Sequence, residues 1–275
     1  MTALLVGVFG AFIGSFLNVV IYRVPQKASV VSPPSACPNC GARITPWQNI
    51  PVISWLVLRG KCAACTDPIS VRYPLVELGT GLAFGVVTWK WISAMPVGTA
   101  QGGLASAGAI VLLVAFLYLA AITVALALID LEHHRLPDSI VLPSYVVAGV
   151  LLAASALLTQ NHTAMLGAAI GGAAMFLFYF VLAFISPRGM GMGDVKLAGV
   201  LGLYLGYIGW GALLVGSFGA FVLGGLFSIV LLVLRKAGRK SSIPFGPWML
   251  AAAWIGIFFG ETLWSGYLGL FGVQV

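Results

Sequence analysis

The chain has 275 residues, of which 60% are hydrophobic and only 8% are charged, and its net charge is +7. This composition excludes an ordinary soluble domain and is typical of a membrane protein with several spans. We therefore expect a lipid bilayer around the chain and no nucleic-acid partner, and we interpret the excess of lysine and arginine as a marker of one membrane face.

We predict an all-α polytopic fold of about eight transmembrane helices, because the apolar runs are each about twenty residues long. The first run, Met1–Ile21, has no basic residue before it, so it is interpreted as a span with an outside N-terminus and not as a secretory signal. Small residues at helical spacing give it a face suited to close packing: Gly7, Gly10, Gly14 and Ser15. The other predicted spans are Leu75–Met95, Gly108–Ile129, Ile140–Leu158, Ala164–Ser186, two within Val195–Leu234 joined by a turn at Gly209–Gly211, and Phe245 to about Leu270.

The basic residues support this topology. Threading eight spans from an outside N-terminus places every lysine and arginine except Lys90 on one side of the membrane. The positive-inside rule assigns that side to the cytoplasm. Beyond the first loop, the residues on this side are Arg135, Arg188, Lys196, Arg235, Lys236, Arg239 and Lys240.

A polar insert separates the first and second spans. Residues 23–73 contain six of the fourteen basic residues and all four cysteines, in two CxxC pairs: Cys37 with Cys40 and Cys62 with Cys65. The spacing is close to that of zinc ribbons, in which four thiolates saturate the ion, and a cytoplasmic location disfavours disulfides. We predict a structural zinc site. The predicted domains are a first transmembrane helix (1–22), a cytoplasmic zinc insert (23–73) and a seven-helix membrane domain (74–275).

Two aspartates lie at the ends of apolar runs, where a carboxylate is costly and therefore indicates function. Asp130 ends the third span, and Asp194 follows three glycines whose freedom to take positive φ would let a peptide backbone approach. Two spans separate the aspartates, so both are expected at the cytoplasmic face, where they can meet. Paired carboxylates share a proton, so one acts as base towards water and the other polarises a carbonyl. The pattern predicts aspartic-protease chemistry by Asp130 and Asp194.

Simpler interpretations exist for these and nearby polar residues. Asp194 is equally suited to capping a helix N-terminus. Asp138, just before the fourth span, is interpreted as an N-cap or a loop-ordering residue. Adjacent histidines point in different directions from a helix, so an exposed basic loop is favoured over a metal site for His133 and His134.

Six segments and the double CxxC resemble the bacterial type IV prepilin peptidases, and the resemblance covers nearly the whole chain. The segments are GSFLNVVIYRVP, NIPVISWLVLRGKC, ISVRYPLVE, ALIDLEHHRLPD, GMGMGDVKL and IPFGPW. The resemblance implies a GxGD-type aspartic endopeptidase of the inner membrane. Such an enzyme removes the basic leader from prepilins or prepseudopilins, after a glycine and before an apolar helix. Residue by residue, it implies Asp130 and Asp194 as the catalytic pair and Cys37, Cys40, Cys62 and Cys65 as zinc ligands.

The larger members of that family carry the cysteine insert and also N-methylate the new N-terminus with S-adenosylmethionine, so the resemblance implies this second activity and cofactor. No glycine-rich nucleotide-binding segment follows a predicted strand, so the residues that bind the cofactor stay unassigned. Glu77, at the inner end of the second span, is a candidate for the second activity; an interfacial partner for Arg72 is an equally good interpretation.

Two functions of other classes were weighed against the peptidase. In a proton-coupled transporter, Asp130 and Asp194 would form a relay, and the glycines would mark broken helices. Both carboxylates are expected at one face, however, and no inverted repeat is visible. In a zinc-ribbon adaptor anchored by spans, the cysteines have a role but the aspartates have none.

Overall fold

A computed structural model describes residues 1–94, 103–186, 190–234 and 244–272 of the chain. Some predictions concern residues outside these ranges. They are the end of the second span at Met95, Gly189 before the second aspartate, Ile243 of the IPFGPW segment, and the basic residues Arg188, Arg235, Lys236, Arg239 and Lys240.

Within the described ranges the regular secondary structure is helical, apart from two isolated antiparallel bridges in the cysteine insert. The all-α class predicted from the sequence is therefore confirmed. The helices are α1 (Thr2–Arg23), a 3₁₀ helix (Pro46–Asn49), α2 (Ile53–Val57), α3 (Arg72–Ala94), α4 (Gly103–His133), α5 (Asp138–Leu158), α6 (His162–Ile185), α7 (Met192–Ile208), α8 (Trp210–Val233) and α9 (Gly246–Gly269).

Five of the described helices are long and apolar enough to cross a membrane: α1, α4, α5, α6 and α8. α7 has 17 residues, fewer than the roughly twenty that a hydrocarbon core of about 30 Å requires. α3 and α9 have 23 and 24 residues, which is long enough, but their most apolar stretches are not among the five that reach the hydropathy of a membrane span. The chain thus has several helices suited to a multi-pass membrane protein, and eight crossings stay a prediction.

Two helix boundaries refine the predicted spans. α4 has 31 residues and extends past the predicted Gly108–Ile129 at both ends, so Asp130 lies inside a helix. The predicted break within Val195–Leu234 is confirmed at Gly209, since α7 ends at Ile208 and α8 begins at Trp210, but Trp210 and Gly211 of the predicted turn belong to α8. Gly209 between them has a φ of +154°, in the region that favours glycine.

The chain divides into two compact units. The first comprises the described residues of Met1–Ala100 together with Phe116–Ala125, and the second comprises those of Gln101–Ala115 and Leu126–Val275. These two units do not correspond to the three domains predicted with limits at residues 22 and 73, and those domains stay a prediction.

In the first unit, α1 packs closely on α3 through its small residues. A methyl group added at Gly14 would lie 2.7 Å from the Cα atom of Glu77, and one added at Gly10 would lie 2.6 Å from Cβ of Phe84. Both distances are shorter than van der Waals contact, so only glycine allows this approach. The close-packing face predicted on α1 is confirmed.

In the second unit, α6 and α7 cross at facing glycines. A methyl group added at Gly202 of α7 would meet the carbonyl oxygen of Gly171 and lie 2.9 Å from the Cα atom of Gly172. These neighbours are backbone atoms, which cannot rotate away. The crossing therefore depends on glycine at position 202.

We expect Gly202→Ala to lower the stability of the protein, because the two helices must move apart to admit the methyl group. Overpacking of this kind costs about 1–3 kcal/mol. The control is Gly225→Ala in α8, where an added methyl group meets nothing within 4 Å. The measurement is the apparent Tm in detergent. A lower value for Gly202→Ala alone is expected, and equal values for the two variants would contradict the close crossing.

Candidate active site and metal centre

Asp130 lies near the C-terminal end of α4 and is buried, with 5% of its surface exposed. Its Oδ2 atom accepts a hydrogen bond from the N–H of Gly246 at 3.0 Å. Gly246 is the first residue of α9, whose early N–H groups have no partner within the helix. A methyl group added at Gly246 would lie 2.7 Å from the same carboxylate oxygen. The position of the Asp130 carboxylate therefore requires glycine at 246.

Asp194 lies in the first turn of α7, and its Oδ2 atom accepts the N–H of Gly191 at 3.1 Å. The alternative interpretation of Asp194 as the N-cap is wrong, because Gly191 is the N-cap and Asp194 is the third residue of α7, whose carboxylate bonds back to the N-cap N–H. The expectation of positive φ at the described glycines is wrong, because Gly191 has a φ of −82° and Gly193 is helical. What Gly193 provides is space: an added methyl group would lie 3.0 Å from Cβ of Leu136.

The two aspartates come together within the second unit. The negative charge of Asp130 acts on the carboxylate of Asp194. Leu136, in the segment between α4 and α5, is next to both sites, because it lies against Gly193 and also 3.3 Å from the position of a methyl group at Gly246. Each carboxylate is thus held through one oxygen by a glycine N–H beside a shared leucine.

Asp138 does not have the predicted role of N-cap. α5 begins at Asp138 itself, its N-cap is Pro137, and no side chain bonds to the free N–H groups there. Instead both oxygens of Asp138 accept from Nζ of Lys196 at 2.8 Å. The hydroxyl of Tyr145 in α5 also donates to the carbonyl oxygen of Lys196 at 2.6 Å. The ion pair attaches α5 to the first turns of α7, just after Asp194.

The two histidines follow Asp130 at the end of α4 and are exposed. Nε2 of His133 lies 4.0 Å from a carboxylate oxygen of Glu132. His134 has a φ of +50°, and its N–H donates to the carbonyl oxygen of Asp130 at 2.8 Å. His134 is the first residue beyond α4 and lies one helical turn after the buried aspartate.

The four cysteines converge in the first unit. Their sulfur atoms all lie within 4.8 Å of one another, and those of Cys37 and Cys65 are 3.8 Å apart. A tetrahedral ion with metal–sulfur bonds of about 2.3 Å requires sulfur atoms about 3.8 Å apart. The donor set and its spacing are thus suited to one metal ion.

The two CxxC turns have the same backbone structure. In the first, the N–H of Cys37 donates to the carbonyl oxygen of Ala42 at 2.9 Å, and in the second, Cys62 donates to Asp67 at 2.8 Å. Backbone N–H groups of Cys65 and Ala64 lower the pKa of the Cys62 thiol to about 7, whereas burial and the neighbouring sulfur atoms raise the pKa of Cys65 to about 12. One thiolate in the cluster therefore disfavours a second unless a cation balances their charge.

Glu77 is buried on α3, with 8% of its surface exposed. Its Oε2 atom accepts the N–H of Val52 at 2.7 Å, and the hydroxyl of Ser15 also bonds to its carboxylate. Glu77 therefore links α3 both to α1 and to the cysteine insert. Its part in a second activity stays a prediction.

Two family models match the chain. One, described as the Bacterial Peptidase A24 N-terminal domain, matches residues 8–91, and the other, the Type IV leader peptidase family, matches residues 117–229. The chain belongs to the type IV leader peptidase family. The four cysteines lie in the range matched by the N-terminal domain model, and Asp130 and Asp194 lie in the range matched by the leader peptidase model.

The chain is also similar to bacterial proteins named prepilin leader peptidase/N-methyltransferase. It is 35% identical to the one from Stutzerimonas stutzeri over 285 residues, which cover 95% of this chain and 92% of that protein. The Pseudomonas putida protein is 34% identical over 288 residues (96% and 93%), and the Neisseria gonorrhoeae protein is 35% identical over 289 residues (94% and 91%). No solved structure matches the chain. The family recognised from the six segments is confirmed.

Sequence interpretation missed three residues that surround the aspartates of this leader peptidase family member: Leu136, Gly246 and Tyr179. Tyr179 is fully buried, and its hydroxyl donates to the carbonyl oxygen of Ser217 at 3.1 Å. It lies close enough to Asp194 to interact with the charge of that carboxylate. Its ring lies 5.4 Å from that of Phe221. Gly246 lies in the IPFGPW segment, which was used only for the resemblance, and no sequence pattern marks a leucine or tyrosine as neighbour of a distant carboxylate.

Proposed function

We propose that this protein is an aspartic endopeptidase that removes the leader peptide from type IV prepilins or prepseudopilins and N-methylates the new N-terminus. The observation that carries the proposal is the buried Asp130 beside Asp194 in a member of the type IV leader peptidase family. The names of its relatives support both activities.

Asp130 and Asp194 act as acid and base in peptide cleavage. The ionised carboxylate takes a proton from the attacking water, and the protonated one donates to the oxygen of the scissile carbonyl. When the tetrahedral intermediate collapses, the carboxyl that took the proton from water gives it to the leaving amine, and the other carboxylate recovers its proton from the hydroxyl that becomes the new carbonyl, so the pair returns to its starting state. The N–H groups of Gly246 and Gly191 each hold one carboxylate oxygen, which leaves the other oxygen for water and substrate.

A proton-coupled transporter is not favoured as an alternative. Transporter sites are expected near the bilayer midplane, between repeated halves with broken helices. Here Asp130 lies near the end of α4 and Asp194 in the first turn of α7, and the relatives are named as peptidases and methyltransferases.

The test is to incubate the full-length protein, in detergent or bilayer discs, with a prepilin and S-adenosylmethionine. Mass spectrometry of the pilin N-terminus is expected to show loss of the leader and a gain of one methyl group. Unprocessed prepilin after incubation with folded, inserted protein would contradict the peptidase. A cleaved but unmethylated N-terminus would contradict the methyltransferase alone.

Gly246→Ala is expected to reduce cleavage at least tenfold, because the added methyl group would lie 2.7 Å from Oδ2 of Asp130 and force the carboxylate to move. The matched control is Gly266→Ala on the same helix, where an added methyl group meets nothing within 4 Å. Initial rates of leader release, at equal amounts of inserted protein, are the measurement. Equal rates for the two variants would show that Gly246 does not position Asp130.

We assign a structural zinc ion to Cys37, Cys40, Cys62 and Cys65. Four thiolates leave no open coordination position, so the ion serves the folding of the insert. S-adenosylmethionine supplies the methyl group for the second activity, and Glu77, buried between α1, α3 and the insert, takes part in that activity.

The protein is placed in the bacterial inner membrane with about eight transmembrane helices, and with the cysteine insert and both aspartates facing the cytoplasm. The placement of all basic residues but Lys90 on one side supports this arrangement. A reporter enzyme that is active only outside the cytoplasm is expected to be silent when fused after Gly60 or Gly238 and active after Gln160. Activity after Gly60 would overturn the proposed orientation.

A further inference from the structure

The short helix α2 has an apolar face that the described part of the chain leaves exposed. Ile53, Leu56 and Val57 stand at positions i, i+3 and i+4, which lie on one side of a helix. Their side chains are 59%, 61% and 74% exposed. We call these three residues the α2 face. Large apolar side chains grouped on a segment outside the predicted spans indicate an interaction surface.

The other side of α2 is fixed inside the cysteine insert. Nε1 of Trp55 donates to the carbonyl oxygen of Ile69 at 3.0 Å, and the Ser54 hydroxyl donates to that of Ile50 at 2.6 Å. The Trp55 ring also packs on Gly60, where an added methyl group would lie 2.9 Å from it. The helix therefore cannot turn the α2 face inwards without breaking these contacts.

Two hydrogen bonds set the height of α2 along α1 and α3. Val52, which precedes the helix, donates its N–H to Oε2 of Glu77 at 2.7 Å. Shortly before it, Oδ1 of Asn49 accepts the Ser15 hydroxyl at 3.4 Å. At a rise of 1.5 Å per residue, Glu77 lies about 8 Å inside the start of α3, and Ser15 lies about 12 Å inside the end of α1. The segment that leads into α2 thus reaches below the ends of both helices.

The ends of α1 and α3 have the residues typical of a membrane surface. Arg23 ends α1 beside the exposed Tyr22, and Arg72 begins α3 beside the exposed Tyr73. Tyrosine is enriched where a span meets the headgroups, and arginine near a span end extends towards them. Further into α3, Leu78 is exposed and apolar, as expected of a side chain in contact with lipid. The start of α2 is therefore level with the boundary between headgroups and acyl chains.

The charge around α2 favours a lipid surface. Residues 23–73 contain six basic residues and a single acidic one, Asp67. Arg59 and Lys61 follow α2 directly and are exposed. A basic flank beside an apolar face is typical of a helix that lies in the membrane interface, where anionic headgroups attract the basic side chains. A basic peptide in the same place would be repelled by these residues.

We propose that the α2 face inserts among the headgroups and outer acyl chains of the membrane, with Arg59 and Lys61 against anionic lipid phosphates. The long stems of these two side chains can lie along the apolar region while their charges reach the headgroups. The cysteine insert then lies on the membrane surface and does not project freely from it. The inference rests on the placement of α1 and α3 as membrane helices in the proposed function.

The test is photocrosslinking to lipid in the full-length protein. Photoreactive benzoylphenylalanine replaces Val57, in bilayer discs made of equal parts of phosphatidylethanolamine and phosphatidylglycerol, and Leu56 gives a second position for the probe. The matched control is Asn39, an exposed polar residue in the first CxxC turn. By mass spectrometry of the insert peptides, we expect at least ten times more lipid adduct from position 57 or 56 than from position 39.

A change of lipid tests the basic flank separately. Replacement of phosphatidylglycerol by neutral phosphatidylcholine is expected to lower the adduct yield at position 57 at least twofold, because Arg59 and Lys61 lose their anionic partners. An unchanged yield would overturn the role assigned to these two residues.

The outcomes separate this inference from the proposed membrane placement. The same probe at Phe9, an exposed residue of α1, reports whether α1 contacts lipid. Adducts at position 9 with no more at 57 and 56 than at 39 overturn the inference alone. No adducts at any of these positions overturn the membrane placement and the inference with it. Crosslinks from position 57 to a second copy of the chain or to added prepilin, in place of lipid, also overturn the inference.

Discussion

Replacing Asp130 or Asp194 with asparagine is expected to abolish leader cleavage and to leave the protein folded and inserted. Asparagine has nearly the volume of aspartate, and its carbonyl oxygen can still accept the N–H of Gly246 or Gly191. It cannot exchange the proton that water attack requires. General acid and base contributions of roughly 10² to 10⁴ are lost. Because the two carboxylates act as one unit, the double variant is expected to be hardly slower than either single one.

Asp138→Asn is the matched control for these variants. It removes a carboxylate from the same part of the chain, but one that is 55% exposed and paired with Lys196. Exposed ion pairs contribute at most about 1 kcal/mol, so we expect a small loss of stability and nearly full cleavage. The measurement is the initial rate of leader release at equal amounts of inserted protein. A near wild-type rate for Asp130→Asn or Asp194→Asn would disprove the two-carboxylate mechanism.

Replacing Cys40 with serine is expected to lower bound zinc from about one equivalent towards zero, because three thiolates leave the ion open to water. The insert has little core to compensate: of residues 24–73, only Pro51 and Gly60 are buried. Structural zinc contributes on the order of 10 kcal/mol to folding of such segments. We therefore expect rapid proteolysis of the insert, measured together with zinc content by mass spectrometry.

Ala64→Ser is the matched control, since it introduces the same hydroxymethyl side chain between two ligands and keeps all four thiols. Ala64 is exposed, so zinc content and protease resistance are expected to be unchanged. Because Asp130 and Asp194 belong to the second unit, we expect Cys40→Ser to impair methylation more than cleavage. Full zinc content in the Cys40→Ser protein would exclude a four-thiolate structural site.

The prediction of membrane helices succeeded where the length of the apolar run alone sets the bounds of the helix. In α5 the observed bounds differ from the predicted span by two residues at one end. For α4 the prediction placed the end of the helix too early, because the helix continues beyond Ile129 through Asp130 to His133. Hydropathy marks the apolar part of a helix, whereas the end depends on local hydrogen bonds such as that from His134 to Asp130. Of the two roles predicted for Asp138, N-cap or loop-ordering residue, the N-cap role is wrong, because the carboxylate pairs with Lys196, 58 residues away.

The sequence by itself determined the all-α membrane class, the four cysteines as a metal-binding set, and the two aspartates as candidates. Each depends on composition or on short spacing, which the chain carries locally. Only the tertiary structure decided what holds the aspartates, because the N–H that reaches Asp130 comes from Gly246, 116 residues away. The same is true of Leu136 beside both sites and of Glu77 beside the insert. Such contacts arise from the packing of whole helices, and no local pattern encodes them.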